Sequence, residues 1–209
     1  MTSRNAAVLV LVSALAELAA LAHHPVARSG DVLASIASLA GRDALVHGVV
    51  IAAIAGLTAG TLAWWRLRDE RGITGVCAVV AYVLGAMFLV GAGIVDGFVT
   101  PAIAQHGLVG GAEARAIALE LLAASLAVIM ACTKAALTAI AVAIALFSAP
   151  LVRGTGRERL VAAAAAVAVV VTAAVLLAPG RLAAHLLFAV ALAQILWYFA
   201  IASTLLRER

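Results

Sequence analysis

Residues 113–150 read EARAIALELLAASLAVIMACTKAALTAIAVAIALFSAP, a helical pattern with no glycine and no proline before Pro150. At 1.5 Å per residue such a helix runs on the order of 55 Å, against about 30 Å of bilayer hydrocarbon. It is too long for one span lying within the bilayer and too short for two. How it is read sets the number of crossings, and therefore which ionisable residues share a side.

The arginines decide. If the run is one span and the N-terminus is cytoplasmic, nine arginines fall inside (Arg4, Arg66, Arg68, Arg71, Arg153, Arg157, Arg159, Arg207 and Arg209). Only four fall outside, Arg28, Arg42, Arg115 and Arg181. Splitting the run with the N-terminus still inside turns that into five against eight, contrary to the tendency of basic residues to stay in the cytoplasm. A split with the reversed orientation restores eight to five, but it demands two spans of about 15 residues each, which is short.

The rest of the chain agrees with a membrane reading. Of 209 residues 66% are apolar and 11% charged, well away from the composition of a soluble domain. The expected fold is an all-α polytopic membrane protein, six transmembrane helices in a compact bundle forming one domain over residues 1–209. The expected spans are 5–23, 43–65, 73–95, 113–149, 160–178 and 182–206. Between the first two, Ser29, Gly30 and Asp31 offer N-cap chemistry to a short apolar segment, 31–40, expected to lie in the interface or to re-enter the membrane.

Local signals support these bounds. Pro25 ends the first span, and Glu17 interrupts what would otherwise pass for a signal-peptide core. Asp43 is placed to cap the second span, and Trp64 and Trp65 suit the headgroup level at its far end, as do Trp197 and Tyr198 in the sixth. Gly56 and Gly60 form a GxxxG pair, with Gly85, Gly91 and Gly93 as further sites of close helix approach. The stretch GFVTPAIAQHGLVGG, 97–111, is the longest break in periodicity and the candidate for a mobile cover. Cys77 and Cys132 lie in apolar runs without CxxC spacing and read as small core residues. The net charge of +4 is spread over short loops, which reports topology and excludes a nucleic-acid surface.

With this topology all five histidines fall on the outer side: His23 and His24 at the end of the first span, His47 in the second, His106 in the outer loop and His185 in the sixth. Glu17, Asp31, Asp43, Asp96, Glu113 and Glu120 join them. Asp31, Asp43 and Glu113 each open a helix, where a negative charge favours the N-terminal dipole. His23 and His106 read as wet interfacial residues. Glu17 and Glu120 are hardest to explain structurally, because a carboxylate within an apolar span is expensive unless something polar meets it.

Imidazole with carboxylate is a ligand set for Zn, Fe, Mn or Cu, and a bundle can collect one ligand per helix. The candidate set is Glu17, His24, His47, Asp96, Glu120 and His185, with the histidines and Asp96 as metal ligands and Glu17 and Glu120 as catalytic proton carriers. Three functions follow. The first is a metalloenzyme acting on a lipid or small extracytoplasmic substrate. The second is a haem b electron-transfer protein ligated by His47 and His185. The third is a proton-coupled carrier or a lipid- or cation-binding protein using Lys134, the chain's sole lysine. The expected setting is a bacterial inner membrane, multi-pass with both termini cytoplasmic, alone or with a homo-oligomeric or partner subunit. Thirteen arginines to one lysine fit a GC-rich genome.

Overall fold

A computed structural model describes residues 1–25, 30–68, 72–178 and 184–207. Within them the chain is helical, without strands. The elements are α1 (Ser3–Ala22), α2 (Val32–Leu67), α3 (Ile73–Ile94), a π-helical turn (Val95–Val99), α4 (Thr100–Val109), α5 (Ala112–Ser148), a 3₁₀ turn (Ala149–Arg153), α6 (Arg157–Leu177) and α7 (Ala184–Leu205). Six helical stretches are long and apolar enough to cross a membrane.

Small residues set the packing. A Cβ on Gly56 would run into Ser13, and one on Gly60 into Val10, so the GxxxG pair seats α2 on α1. Gly85 seats α3 against Ile140 and Ala136 of α5 in the same way. Gly91 faces open space instead.

The start of α1 and the end of α7 both lie beside the end of α2, with Met1 near Trp65 and Thr204 bonded by Trp64, and this is called the terminal end. Arg68 of α2 pairs with Glu158 of α6 at 3.2 Å, and Arg157 bonds the Ser203 carbonyl of α7. Above this lies an aromatic core. Trp64, Phe147 and Trp197 are at most 1% exposed, and the Trp64–Trp197 ring centroids are 6.1 Å apart. The indoles donate to Thr204 Oγ1 and Ser148 Oγ, each at 3.0 Å. Trp64 and Trp197 are therefore core residues and not the interfacial anchors their position near span ends implies. The polar handle that usually keeps tryptophan at the headgroups is satisfied inside.

Three further expectations are corrected. The segment 31–40 is no separate interfacial helix: α2 runs unbroken from Val32, with Asp31 as its N-cap accepting from Leu33 N at 3.1 Å and Ala34 N at 3.4 Å. Asp43 consequently lies inside a helix and caps nothing. Nor is 97–111 a loop, because α3 continues through the π turn into α4. The physical reason is shared: the first turns of α2, the whole of α4 and the start of α5 pack on one another through Leu33, Ala104 and Ala118. Each extension buries an apolar face that would otherwise have no partner, so all three stay helical beyond the length of a single span. Cys77 is exposed and Cys132 only half-buried, so neither is a core residue.

Candidate metal centre

His24 follows the end of α1. The His23 N–H closes that helix on the Ala19 and Ala20 carbonyls at 3.1 and 3.2 Å, and Pro25 disfavours helical geometry at His24. The ring then turns so that Nδ1 bonds the Pro25 carbonyl at 2.9 Å. His47 is buried within α2, its Nδ1 bonded to the Asp43 carbonyl at 2.9 Å. A carbonyl oxygen only accepts, so its partner assigns the Nδ1 proton in both rings; in the neutral form each Nε2 then presents a lone pair, and in the doubly protonated form His47 Nε2 donates to Asp96 Oδ2 at 3.2 Å.

Asp96 arrives by a different device. Pro101 has no N–H to offer the preceding turn, and its ring crowds the carbonyl there. The helix widens over Val95–Val99, and Thr100 Oγ1 donates to the Val95 carbonyl at 2.9 Å. π turns of this kind recur at functional sites because they re-aim one side chain. Here the turn carries Asp96 toward His47. Gly97 makes room, since a Cβ there would overlap the His47 imidazole.

The result is one compact group. Asp96 Oδ2 lies 3.2 Å from His47 Nε2 and 3.7 Å from His24 Nε2. The two imidazoles meet edge to face with centroids 5.0 Å apart. One ligand atom from each of the three residues falls within 4.8 Å of the others, a group that could hold a metal ion. Two nitrogen lone pairs and a carboxylate oxygen pointing inward repel unless a proton or a cation lies between them. The His47 side chain is 7% exposed, whereas those of His24 and Asp96 are 37% and 38% exposed. One side of the centre is therefore open.

Two cavities meet there. A vestibule of about 410 Å³ lies against Val32, Ile36, Leu39 and Leu122 of the helix extensions. A chamber of about 340 Å³ runs into the bundle past Glu17. His24 and Asp96 line both.

Of the residues singled out in the sequence, His24, His47 and Asp96 are brought together and Glu17 lines the adjoining chamber. The others are not part of the group. Glu120 is exposed and lines neither cavity, so it does not meet the partner its charge requires inside the bundle. His185 is exposed at the start of α7 and lines neither cavity. Arg181, one of the four arginines assigned to the outer side, lies outside the described residues. Lys134 is exposed on α5, and only its carbonyl is engaged, by Thr138 Oγ1 at 2.9 Å. His106 is exposed on α4, and His23 contributes its carbonyl to Arg42 Nη2 at 3.3 Å.

Sequence reading passed over Thr133 and Gln194, which line the chamber. The signal was present, because a lone amide in the apolar α7 needs a partner as much as Glu17 does. No family model, curated protein or solved structure matches this chain.

Proposed function

We propose that the chain is an integral membrane protein whose His24, His47 and Asp96 bind one transition metal ion on the extracytoplasmic side, forming the centre of a membrane metalloenzyme. Both termini lie in the cytoplasm in this reading. The observation that carries it is the pair of imidazoles, each held by a backbone carbonyl at Nδ1, that present Nε2 to one carboxylate. Metal-binding histidines are held in this way, by a second bond that sets tautomer and ring orientation. Two nitrogens and a carboxylate oxygen suit Zn, Fe, Mn or Cu, and the open side marks a catalytic site as opposed to a closed structural one.

A metal in this position would supply Lewis acidity or an activated water. Glu17, one level deeper in the chamber, is the carboxylate available to carry protons, and the substrate is a lipid or a small extracytoplasmic molecule. Catalysis is favoured over passage through the bundle because the aromatic core fills the terminal half beneath the chamber.

Elemental analysis and an absorption spectrum of purified protein test the reading. One equivalent of metal is expected, lost in both His47→Ala and Asp96→Ala. Activity in a metal-free preparation would overturn it.

A further inference from the structure

The chamber has polar groups at two levels. The centre occupies its outer end, and Glu17, at i−7 from His24 on α1, lies about 10 Å deeper along the helix axis. Thr133 and Gln194 line the chamber as well, and between these groups the wall is built from side chains such as Leu89, Ile129 and Phe188. Its volume, about 340 Å³, falls in the range of small-molecule sites, which are mostly apolar with a few placed polar groups.

Gln194 is 7% exposed, and its Nε2 is buried without a hydrogen-bond partner among the described residues. A buried donor left in this state is costly, and such groups in native structures call for an explanation. Two other side-chain atoms share the condition, Thr61 Oγ1 and Trp65 Nε1, but neither residue lines the chamber. Charge narrows the occupant further. The chamber is lined by two carboxylates, Glu17 and Asp96, and by no lysine or arginine. Without a metal at the centre, an anion in the chamber meets two carboxylates and no lysine or arginine among the described residues.

We propose that the chamber binds a neutral, largely apolar molecule bearing a carbonyl, with that oxygen accepting from the Gln194 amide and the remainder of the molecule extending toward the metal centre. This deepens the metalloenzyme reading by naming its substrate class, and it rests on that reading only for what happens at the outer end. Free fatty acids and lipid phosphate groups are disfavoured as occupants of the metal-free chamber, where only Glu17 and Asp96 are charged.

The test is equilibrium binding of tritiated 2-decanone to the detergent-purified full chain, measured with and without added zinc, with unlabelled 2-decanone, decane and decanoate at pH 8 as competitors. Saturable one-to-one binding is expected, with decanoate and decane competing at least tenfold more weakly than the ketone in the absence of zinc. Gln194→Leu, which keeps the volume and removes the donor, is expected to weaken the ketone on the order of fivefold. Ala191→Phe, which fills the chamber, should abolish binding while the melting curve stays cooperative. The competitor series needs no variant and stands if both substitutions fail to fold. Non-saturable uptake, equal competition by decanoate in the absence of zinc, or undiminished binding in a folded Gln194→Leu protein would each overturn the proposal. Ketone binding in a protein that holds no metal leaves the chamber assigned and removes the metal centre. Metal binding without saturable ketone does the reverse.

Discussion

The two halves of the bundle solve opposite problems with the same helices. In the terminal half the polar atoms of the aromatic core are mostly paired with one another: the Tyr82 and Tyr198 hydroxyls lie 2.6 Å apart and the Trp64 and Trp197 indoles each reach a hydroxyl, while Thr61 Oγ1 and Trp65 Nε1 are left over among the described residues. Large rings fill its interior, a cavity of about 470 Å³ beside Leu62, Trp65 and Val79 is lined by none of the metal-centre residues, and the ends are pinned by the Arg68–Glu158 pair. In the distal half the volume is left unfilled at two cavities, and three ligand atoms converge that repel without a proton or a cation between them. Stability is concentrated where nothing reacts, and the reactive groups stand where packing is incomplete. That division makes the halves separable by mutation.

The largest effect is expected in the terminal half. Trp197 is fully buried against Trp64, Phe147 and Tyr198, so Trp197→Ala opens a cavity and should cost about 3–5 kcal/mol of stability. Denaturant or thermal unfolding in detergent measures it. The folded fraction should keep its affinity for metal, and if affinity falls in parallel with stability the halves are not independent. The converse substitution is His47→Ala. It removes one of three ligands, so zinc affinity by titration calorimetry should fall more than about 100-fold, beyond what loss of an outer-shell partner produces. The melting temperature without metal should change little.

This division also governs how much was legible in the sequence. The six long helices followed from apolar length together with the arginine distribution, which settled 113–150 as one span, and the seats at Gly56, Gly60 and Gly85 from small-residue spacing. Their extensions did not, because Leu33, Ala104 and Ala118 stabilise one another across three helices, and periodicity within one segment carries no information on such partners. At the site, His24, His47 and Asp96 were readable as residue types on one side of the membrane. Glu120 and His185 looked equivalent and face outward. A helix that is apolar nearly all round does not declare which face meets the bundle. For Asp96 the difficulty was greater, since the π turn shifts the register and a 3.6-residue period misplaces every side chain beyond it.

Gly97→Ala tests that register directly. The added methyl would overlap the His47 ring, which must give way or push the π turn and Asp96 aside. Neither movement removes a ligand, so zinc affinity should drop by about 10- to 100-fold, as for displaced supporting groups elsewhere, and by less than in His47→Ala. A loss equal to that of His47→Ala would mean the centre tolerates no adjustment. No loss at all would place the ion away from His47.

The smallest effect separates the distal half's scaffold from its chemistry. Asp31 caps α2 and pairs with Arg115 Nη2 of α5 at 2.8 Å. The Arg115 guanidinium beside it, with the Ala34 and Leu33 amides, holds this carboxyl below the ordinary carboxylate value. A carboxyl with a depressed folded-state pKa contributes stability above its unfolded value, near pH 4, and loses that contribution as pH falls through the folded value. Asp31→Asn keeps a good N-cap and removes the charge. At neutral pH it should lower the melting temperature slightly, and the gap from the unmodified protein should close as the pH drops below about 4. Because both groups are exposed, salt should shrink the gap as well. A gap that widens on acidification would show that Asp31 acts by something other than its charge. Unchanged zinc affinity in the variant at pH 7.5 would leave the cap as scaffold and the centre as the only part of the distal half that titrates with metal.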